Sequence, residues 1–150
     1  MPSWPRLCAW QITGAGLLAL AACAQQQPQQ LPELYEASLD GRQEVPAVAT
    51  QGSGQARVEV DARGLMRWTI GHEGLSGPVT AAHVHGPAGP GQNAAILIPL
   101  AMPGNGTSFS GGVRITPEQL TQLGSGQWYV NLHTAQHPAG EIRGQLRPRR

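Results

Sequence analysis

Apolar and polar residues alternate along several short stretches of the chain, and this pattern predicts β-strands. Two stretches, residues 54–60 and 65–70, carry apolar side chains at every second position: Ala56, Val58, Val60, Met66, Trp68 and Ile70. A polar connection that contains glycine, residues 61–64, joins the two stretches. Together they predict a β-hairpin with one face in the core.

Further strands are predicted in six places: residues 34–39, 79–84, 95–100, 107–115, 128–133 and 141–146. Adjacent glycines at 111 and 112 predict a β-bulge in one of these strands. One short helix is predicted behind Thr116, an N-cap residue that Pro117 follows and with which Gln119 forms a capping box. Eight or so strands and one helix in about 115 residues predict an all-β fold, a β-sandwich.

The N-terminal segment, residues 1–22, has the pattern of a bacterial lipoprotein signal peptide. An arginine precedes an apolar run, residues 12–22, which has the length of a signal sequence and is shorter than the roughly 20 residues of a membrane span. The run leads into the sequence Leu-Ala-Ala-Cys, residues 20–23. We therefore expect lipidation at Cys23, with cleavage of a secretory signal beside this residue as the alternative.

The segment behind the predicted signal, residues 23–33, is expected to be a flexible tether. Its glutamine- and proline-rich part, residues 24–30, has neither charge nor apolar periodicity, so it cannot bury enough surface to order itself. Acyl chains on the cysteine would anchor the protein, because more than one chain gives stable membrane binding. We expect a protein of the bacterial cell envelope, lipid-anchored at the outer membrane or facing the periplasm, and otherwise a secreted one.

Composition limits the partners of the remaining chain, in which we assign residues 34–147 to one domain and residues 148–150 to a basic tail. The ten basic residues are all arginine, and without Arg6 of the predicted signal peptide nine of them stand against nine acidic residues. This balance argues against a nucleic-acid partner, which requires a basic surface. The two cysteines, Cys8 and Cys23, both precede the domain. A metal ion would therefore be held by histidine, methionine or carboxylate instead of thiolate.

The candidate chemistry lies in the sequence Ala-His-Val-His-Gly-Pro, residues 82–87. His83 and His85 are two positions apart and so share one face of a strand. His133 ends another predicted strand, on its polar face. If the two strands are neighbours, the three imidazoles converge, which is a recurrent way to bind copper or zinc. We expect this polar face on the exterior of the sheet or in a groove under the glycine- and proline-rich loop 86–91.

The histidines also have a structural interpretation, in which they hydrogen-bond to the backbone or to Glu141 and hold loops together. For the metal hypothesis, His137 and His72 are candidates for a fourth ligand, although neither position is required. Glu141 and Arg143 share a strand face as residues i and i+2. They are predicted to be a structural polar pair, with the arginine in bidentate contact with Glu141 or Glu44.

Five short motifs stand in order along the chain: residues 41–46, 74–77, 82–87, 129–134 and 140–146. Together they resemble the CHRD domain, named from the repeats of the animal protein chordin and widespread in bacterial secreted proteins. The resemblance covers about residues 34–147. It implies an immunoglobulin-like or dismutase-like β-sandwich and no well-defined activity.

The preferred function is a lipid-anchored envelope module without catalytic residues, which binds a protein partner or a metal ion through its histidine-rich face. One alternative is a copper- or zinc-binding envelope protein for metal handling or tolerance. Another is an enzyme, because His-Val-His-Gly is similar to a motif of copper,zinc superoxide dismutase. The chain lacks a disulfide and a recognisable zinc loop, which argues against this enzyme. An adhesion or scaffold module, by analogy with chordin, is the last alternative.

Overall fold

The computed structural model describes Met1, residues 32–100 and residues 106–149. Apart from Met1, the predicted signal peptide lies outside the described residues, as do Cys23 and most of the predicted tether. Within the described ranges, no helix is long and apolar enough to cross a membrane.

The described residues form nine strands, a short 3-10 helix (Gly41–Gln43) and one α-helix, α1 (Pro117–Gly124). The strands are β1 (Glu33–Asp40), β2 (Ser53–Val60), β3 (Leu65–Glu73), β4 (Val79–His85), β5 (Ile96–Pro99), β6 (Ser108–Arg114), β7 (Tyr129–Thr134), β8 (Ile142–Gln145) and β9 (Arg147–Pro148). The predicted hairpin is β2–β3. This composition confirms the prediction of an all-β fold with one short helix.

All strands belong to one curled antiparallel sheet with the order β5-β4-β7-β8-β1-β2-β3-β6, and β9 pairs with β1. One residue pair, Asp40 with Arg143, joins β8 to β1. The sheet folds over at this place, so that its two halves enclose one apolar core. We call the half with β4 and β7 the histidine layer and the half with the β2–β3 hairpin the hairpin layer.

Strand alternation places the predicted apolar residues in this core. The six apolar side chains of the hairpin are 5% exposed or less: Ala56, Val58, Val60, Met66, Trp68 and Ile70. Ala82 and Val84 of β4, and Val130 and Leu132 of β7, enter the core from the opposite layer. Each large apolar side chain buried in this way stabilises the fold by roughly 1.5–3 kcal/mol. His83 and His85 of β4 and the odd-numbered residues of β7 therefore face away from the core.

Helix α1 begins as predicted. The Thr116 side chain accepts the backbone N–H of Gln119, whose side chain accepts the backbone N–H of Thr116 in return. This capping box satisfies N–H groups that the helix leaves unpaired. Leu123 of the helix is fully buried in the core, so the helix closes one side of the sheet.

The predicted bulge at Gly111 is wrong, because β3 and β6 pair without a shift in register. Gly111 lies opposite Trp68, and a Cβ atom at position 111 would lie 2.4 Å from the indole ring. The glycine therefore provides room for a core tryptophan.

We expect Gly111→Ala to lower the free energy of unfolding by about 1–3 kcal/mol, because the added methyl group overpacks against Trp68. Urea denaturation followed by tryptophan fluorescence measures this. Gly77→Ala is the matched control, since a Cβ atom at Gly77 has no neighbour within 4 Å, and its effect should stay within about 0.5 kcal/mol. Equal stability of the two variants would contradict the packing explanation.

Candidate functional site

The pairing of β4 with β7 brings the three predicted histidines together. His83 lies opposite Asn131 and His85 opposite Tyr129, while His133 lies opposite Ala81. The imidazoles therefore stand side by side on the face of the histidine layer that points away from the core. Each offers one ring nitrogen, and these three nitrogens lie within 4.8 Å of one another.

Two backbone carbonyls fix the tautomers of two of these rings. Nδ1 of His85 lies 2.9 Å from the carbonyl oxygen of Ala94, and Nδ1 of His133 lies 3.0 Å from that of Pro138. A carbonyl oxygen only accepts hydrogen bonds, so each Nδ1 carries the hydrogen. In the neutral ring, the lone pair then lies on Nε2. Both histidines thus have an Nε2 lone pair available for a ligand.

The third ring is hydrogen-bonded within the cluster. Nδ1 of His83 lies 2.9 Å from Nε2 of His133. Because this Nε2 carries the lone pair, His83 is the donor. Nε2 of His85, in contrast, is buried and has no hydrogen-bond partner in the described part of the protein. An unsatisfied buried acceptor is costly, which marks this nitrogen as the open position of the cluster.

Burial favours the neutral form of the three rings. Desolvation lowers the pKa of His83, and the neighbouring His133 and His85 lower it further. Desolvation lowers the pKa of His85, and the positive charge of Arg143 lowers it further, while the hydrogen bond to Ala94 opposes this shift. Desolvation also lowers the pKa of His133. The neutral imidazole is the form that binds metal ions.

The two candidates for a fourth ligand do not join the cluster. His72 lies in the hairpin layer, at the end of β3, with its ring centroid 6.5 Å from that of Phe109. His137 lies in the turn behind β7, where its backbone N–H donates to the carbonyl of Thr134 at 3.2 Å. The spacing of histidines in a sequence does not indicate which layer or loop each one occupies.

Arg143 does not form the predicted bidentate contact. No carboxylate of the described residues lies within 4 Å of its guanidinium group, which instead donates to the Gln92 carbonyl at 2.7 Å and to Oδ1 of Asn93 at 3.1 Å. Its Cζ atom lies 3.4 Å from the centroid of the Tyr129 ring. The reason is that β8 directs Arg143 toward the loop between β4 and β5, residues 86–95, away from Glu141.

Glu141 has a separate structural role. Its fully buried carboxylate accepts hydrogen bonds from the hydroxyl groups of Thr50, Ser76 and Thr134 at 2.6–2.7 Å, and from the backbone N–H of Ser76 at 2.8 Å. Burial alone would raise the pKa of Glu141, but these hydrogen bonds hold the pKa at about 2. The ionised carboxylate thereby ties two loops to β7.

Glu44 is a second buried carboxylate beside the histidines. It accepts both of its hydrogen bonds from Nδ2 of Asn131, at 2.8 and 3.0 Å. Burial raises the pKa of Glu44 to about 7, while the Asn131 hydrogen bond and the Arg143 charge oppose the rise. The sequence indicates Glu44 only as a possible partner of Arg143. The carbonyls of Ala94 and Pro138 were not predicted, since backbone groups leave no signal in side-chain patterns.

Comparison with known proteins gives one match. The sequence model of the CHRD domain matches residues 35–146. None of the curated proteins and none of the solved structures shows a significant match to the chain.

The low pKa of Glu141 predicts acid sensitivity. The pKa in the folded state, about 2, lies below the ordinary value of 4.5, so the carboxylate stabilises the fold above about pH 4.5 and loses this effect as the pH falls toward 2. The loss should reach about 3 kcal/mol, since one pKa unit corresponds to about 1.4 kcal/mol.

Urea denaturation between pH 2 and 7 tests this for the wild type and for Glu141→Gln. The variant should be less stable at pH 7 by about 3 kcal/mol and should lose less stability in acid. Glu36→Gln, at an exposed ion pair with Arg149, serves as the control and should retain the wild-type profile. If Glu141→Gln loses as much stability in acid as the wild type, Glu141 is not the responsible group.

Proposed function

The chain belongs to the CHRD domain family, and from this membership and the histidine geometry we propose that it is a non-enzymatic binding module for divalent copper or zinc. The ligands are His83, His85 and His133. The observation that carries the proposal is the fixed tautomer of two rings, which leaves the buried Nε2 of His85 and the Nε2 of His133 as ligand atoms. Histidines that bind metals commonly donate their other N–H to a carbonyl in this way.

The spacing of the nitrogens suits a metal ion after a small adjustment. Zinc–nitrogen bonds of about 2.0–2.1 Å in tetrahedral geometry place the ligand nitrogens about 3.4 Å apart. The cluster nitrogens lie within 4.8 Å of one another, so shifts of ~1 Å suffice. The hydrogen bond from His83 to His133 opens on binding. The Nδ1 hydrogen of His83 is then replaced by a hydrogen on Nε2, and Nδ1 becomes the third ligand atom.

The chemistry of the ligand atoms predicts which of the two metals binds more tightly. All three ligands are neutral imidazole nitrogens, and such sites bind Cu(II) more tightly than Zn(II). Three protein ligands also leave a coordination position for water or for a group of a partner.

We further propose that Cys23 carries the lipid that holds this domain in the bacterial envelope. The support is the sequence alone, in which the apolar run of residues 12–22 leads directly to a cysteine preceded by Leu-Ala-Ala. The second cysteine, Cys8, precedes the apolar run and would leave with the signal peptide.

Metal binding is tested on the untagged mature chain, residues 23–150, with Cys23→Ser. We expect one Cu(II) per chain by isothermal titration and elemental analysis. Because each substitution removes one ligand, His83→Ala, His85→Ala and His133→Ala should each weaken binding by roughly 100-fold. His72→Ala and His137→Ala are controls with unchanged affinity. Absence of binding at micromolar metal, with the fold intact by circular dichroism, would refute the proposal.

The anchor is tested by expressing the full chain in a bacterium fed with labelled palmitate. Wild-type protein should incorporate label and sediment with membranes, because acyl chains on Cys23 partition into the bilayer. Cys23→Ser should lose both properties, whereas Cys8→Ser should retain them. Membrane association of Cys23→Ser at the wild-type level would exclude lipidation at this cysteine as the anchor.

A further inference from the structure

His85 is the most constrained of the three histidines, and its neighbour Tyr129 explains why. The two residues lie opposite each other in the β4–β7 ladder. Their rings are stacked with centroids 4.9 Å apart and an angle of 3° between planes. Tyr129 is 2% exposed, so its ring is itself held by the surrounding structure. The stack therefore fixes the plane of the His85 imidazole.

The hydroxyl group of the same tyrosine acts on the tautomer. The Tyr129 oxygen accepts the backbone N–H of Ala94 at 3.1 Å, and the Ala94 carbonyl accepts Nδ1–H of His85 at 2.9 Å. Both hydrogen bonds involve the backbone of Ala94. With the ring stack they form a closed cycle of contacts: the Tyr129 ring stacks on His85, His85 donates to Ala94, and Ala94 donates to the Tyr129 oxygen. Tyr129 thus sets the ring plane of His85 directly and its tautomer through Ala94.

Arg143 holds this cycle from the other side. Strands β4 and β8 flank β7 on opposite sides, so His85 and Arg143 approach Tyr129 from opposite sides. Arg143 is 2% exposed and has its Cζ 3.4 Å from the tyrosine centroid, a cation–π contact that offsets part of the cost of burying a charge. Its two hydrogen bonds go to Gln92 and Asn93, the residues directly before Ala94.

From these contacts we propose that Tyr129 and Arg143 are positioning residues of the metal site. Neither residue supplies a ligand atom to the metal. They hold the His85 ring and the β4–β5 loop in the arrangement that leaves Nε2 of His85 unpaired. The metal part of this inference rests on the proposed function, but the orientation of His85 is a property of the metal-free protein and is measured without a ligand.

The test uses the mature chain with Cys23→Ser and two variants. Tyr129→Phe keeps the ring and removes the acceptor for the Ala94 N–H. Arg143→Lys keeps the charge and removes the planar contact with Tyr129 and the paired hydrogen bonds. Tyr35→Phe is the matched control, because Tyr35 is a buried tyrosine of β1 whose hydroxyl donates to Glu33.

Nitrogen-15 NMR of the imidazoles at about pH 8, where the rings are neutral, reports the tautomer of His85 in metal-free protein. The wild type and Tyr35→Phe should show the Nδ1–H form, and Tyr129→Phe and Arg143→Lys a mixture of both forms. In Cu(II) titrations, the two positioning variants should bind about 10-fold more weakly with unchanged stoichiometry.

The two measurements separate the two hypotheses. A wild-type tautomer in both folded positioning variants overturns the positioning inference, whatever the metal affinity. A change of the same size in Tyr35→Phe also overturns it, because the effect would then be general. A wild type that binds no Cu(II) or Zn(II) refutes the proposed function, while an altered His85 tautomer in Tyr129→Phe would still support the positioning role.

Discussion

The structure depends on satisfying the polar groups of a strand that is buried on both faces. All six residues of β7, Tyr129–Thr134, are buried. One face enters the apolar core, and the other presents an aromatic hydroxyl, an amide and an imidazole. Buried polar groups require hydrogen-bond partners. Ala94, Glu44 and Pro138 are the partners of the Tyr129 hydroxyl, Nδ2 of Asn131 and Nδ1 of His133, whereas Oδ1 of Asn131 has no partner among the described residues. Hydrogen bonds to the polar side chains of β7 therefore hold the loops around the site in place.

The local elements of the fold were predictable from the sequence because their causes are local. The β2–β3 hairpin follows from strict alternation on both sides of a turn, and helix α1 follows from a capping box and a proline within four residues. The bulge at Gly111 was predicted from the same type of local rule and is wrong. The glycine is required by the Trp68 side chain of the neighbouring strand, a contact that no local pattern indicates.

The candidate site was predictable in part. The i, i+2 spacing indicated that His83 and His85 share a face, but only the pairing of β4 with β7 brings His133 to them. The sequence left open whether this polar face is exposed or covered. In the structure, His85 and Tyr129 contact Ala94 of the β4–β5 loop, and His133 contacts Pro138 behind β7. Strand alternation predicts which face of a sheet a side chain occupies but not which residue it contacts. The prediction therefore paired Arg143 with Glu141, whereas in the structure each binds a different loop. These partners are determined by contacts between residues that lie 50 or more positions apart in the sequence.

The sparse pairing of β8 and β9 with β1 has a consequence for how this architecture can diversify. Among the described residues, β8 pairs with β1 at one position and β9 at two, so few backbone pairs continue the ladder across the fold of the sheet. The histidine layer and the hairpin layer meet in a shared apolar core, and apolar packing tolerates exchange of residues at constant volume. Turns and surface residues of the hairpin layer can therefore drift without altering strand register around the imidazoles. The hairpin layer can thus vary in sequence while the histidine layer keeps the arrangement of the three imidazoles.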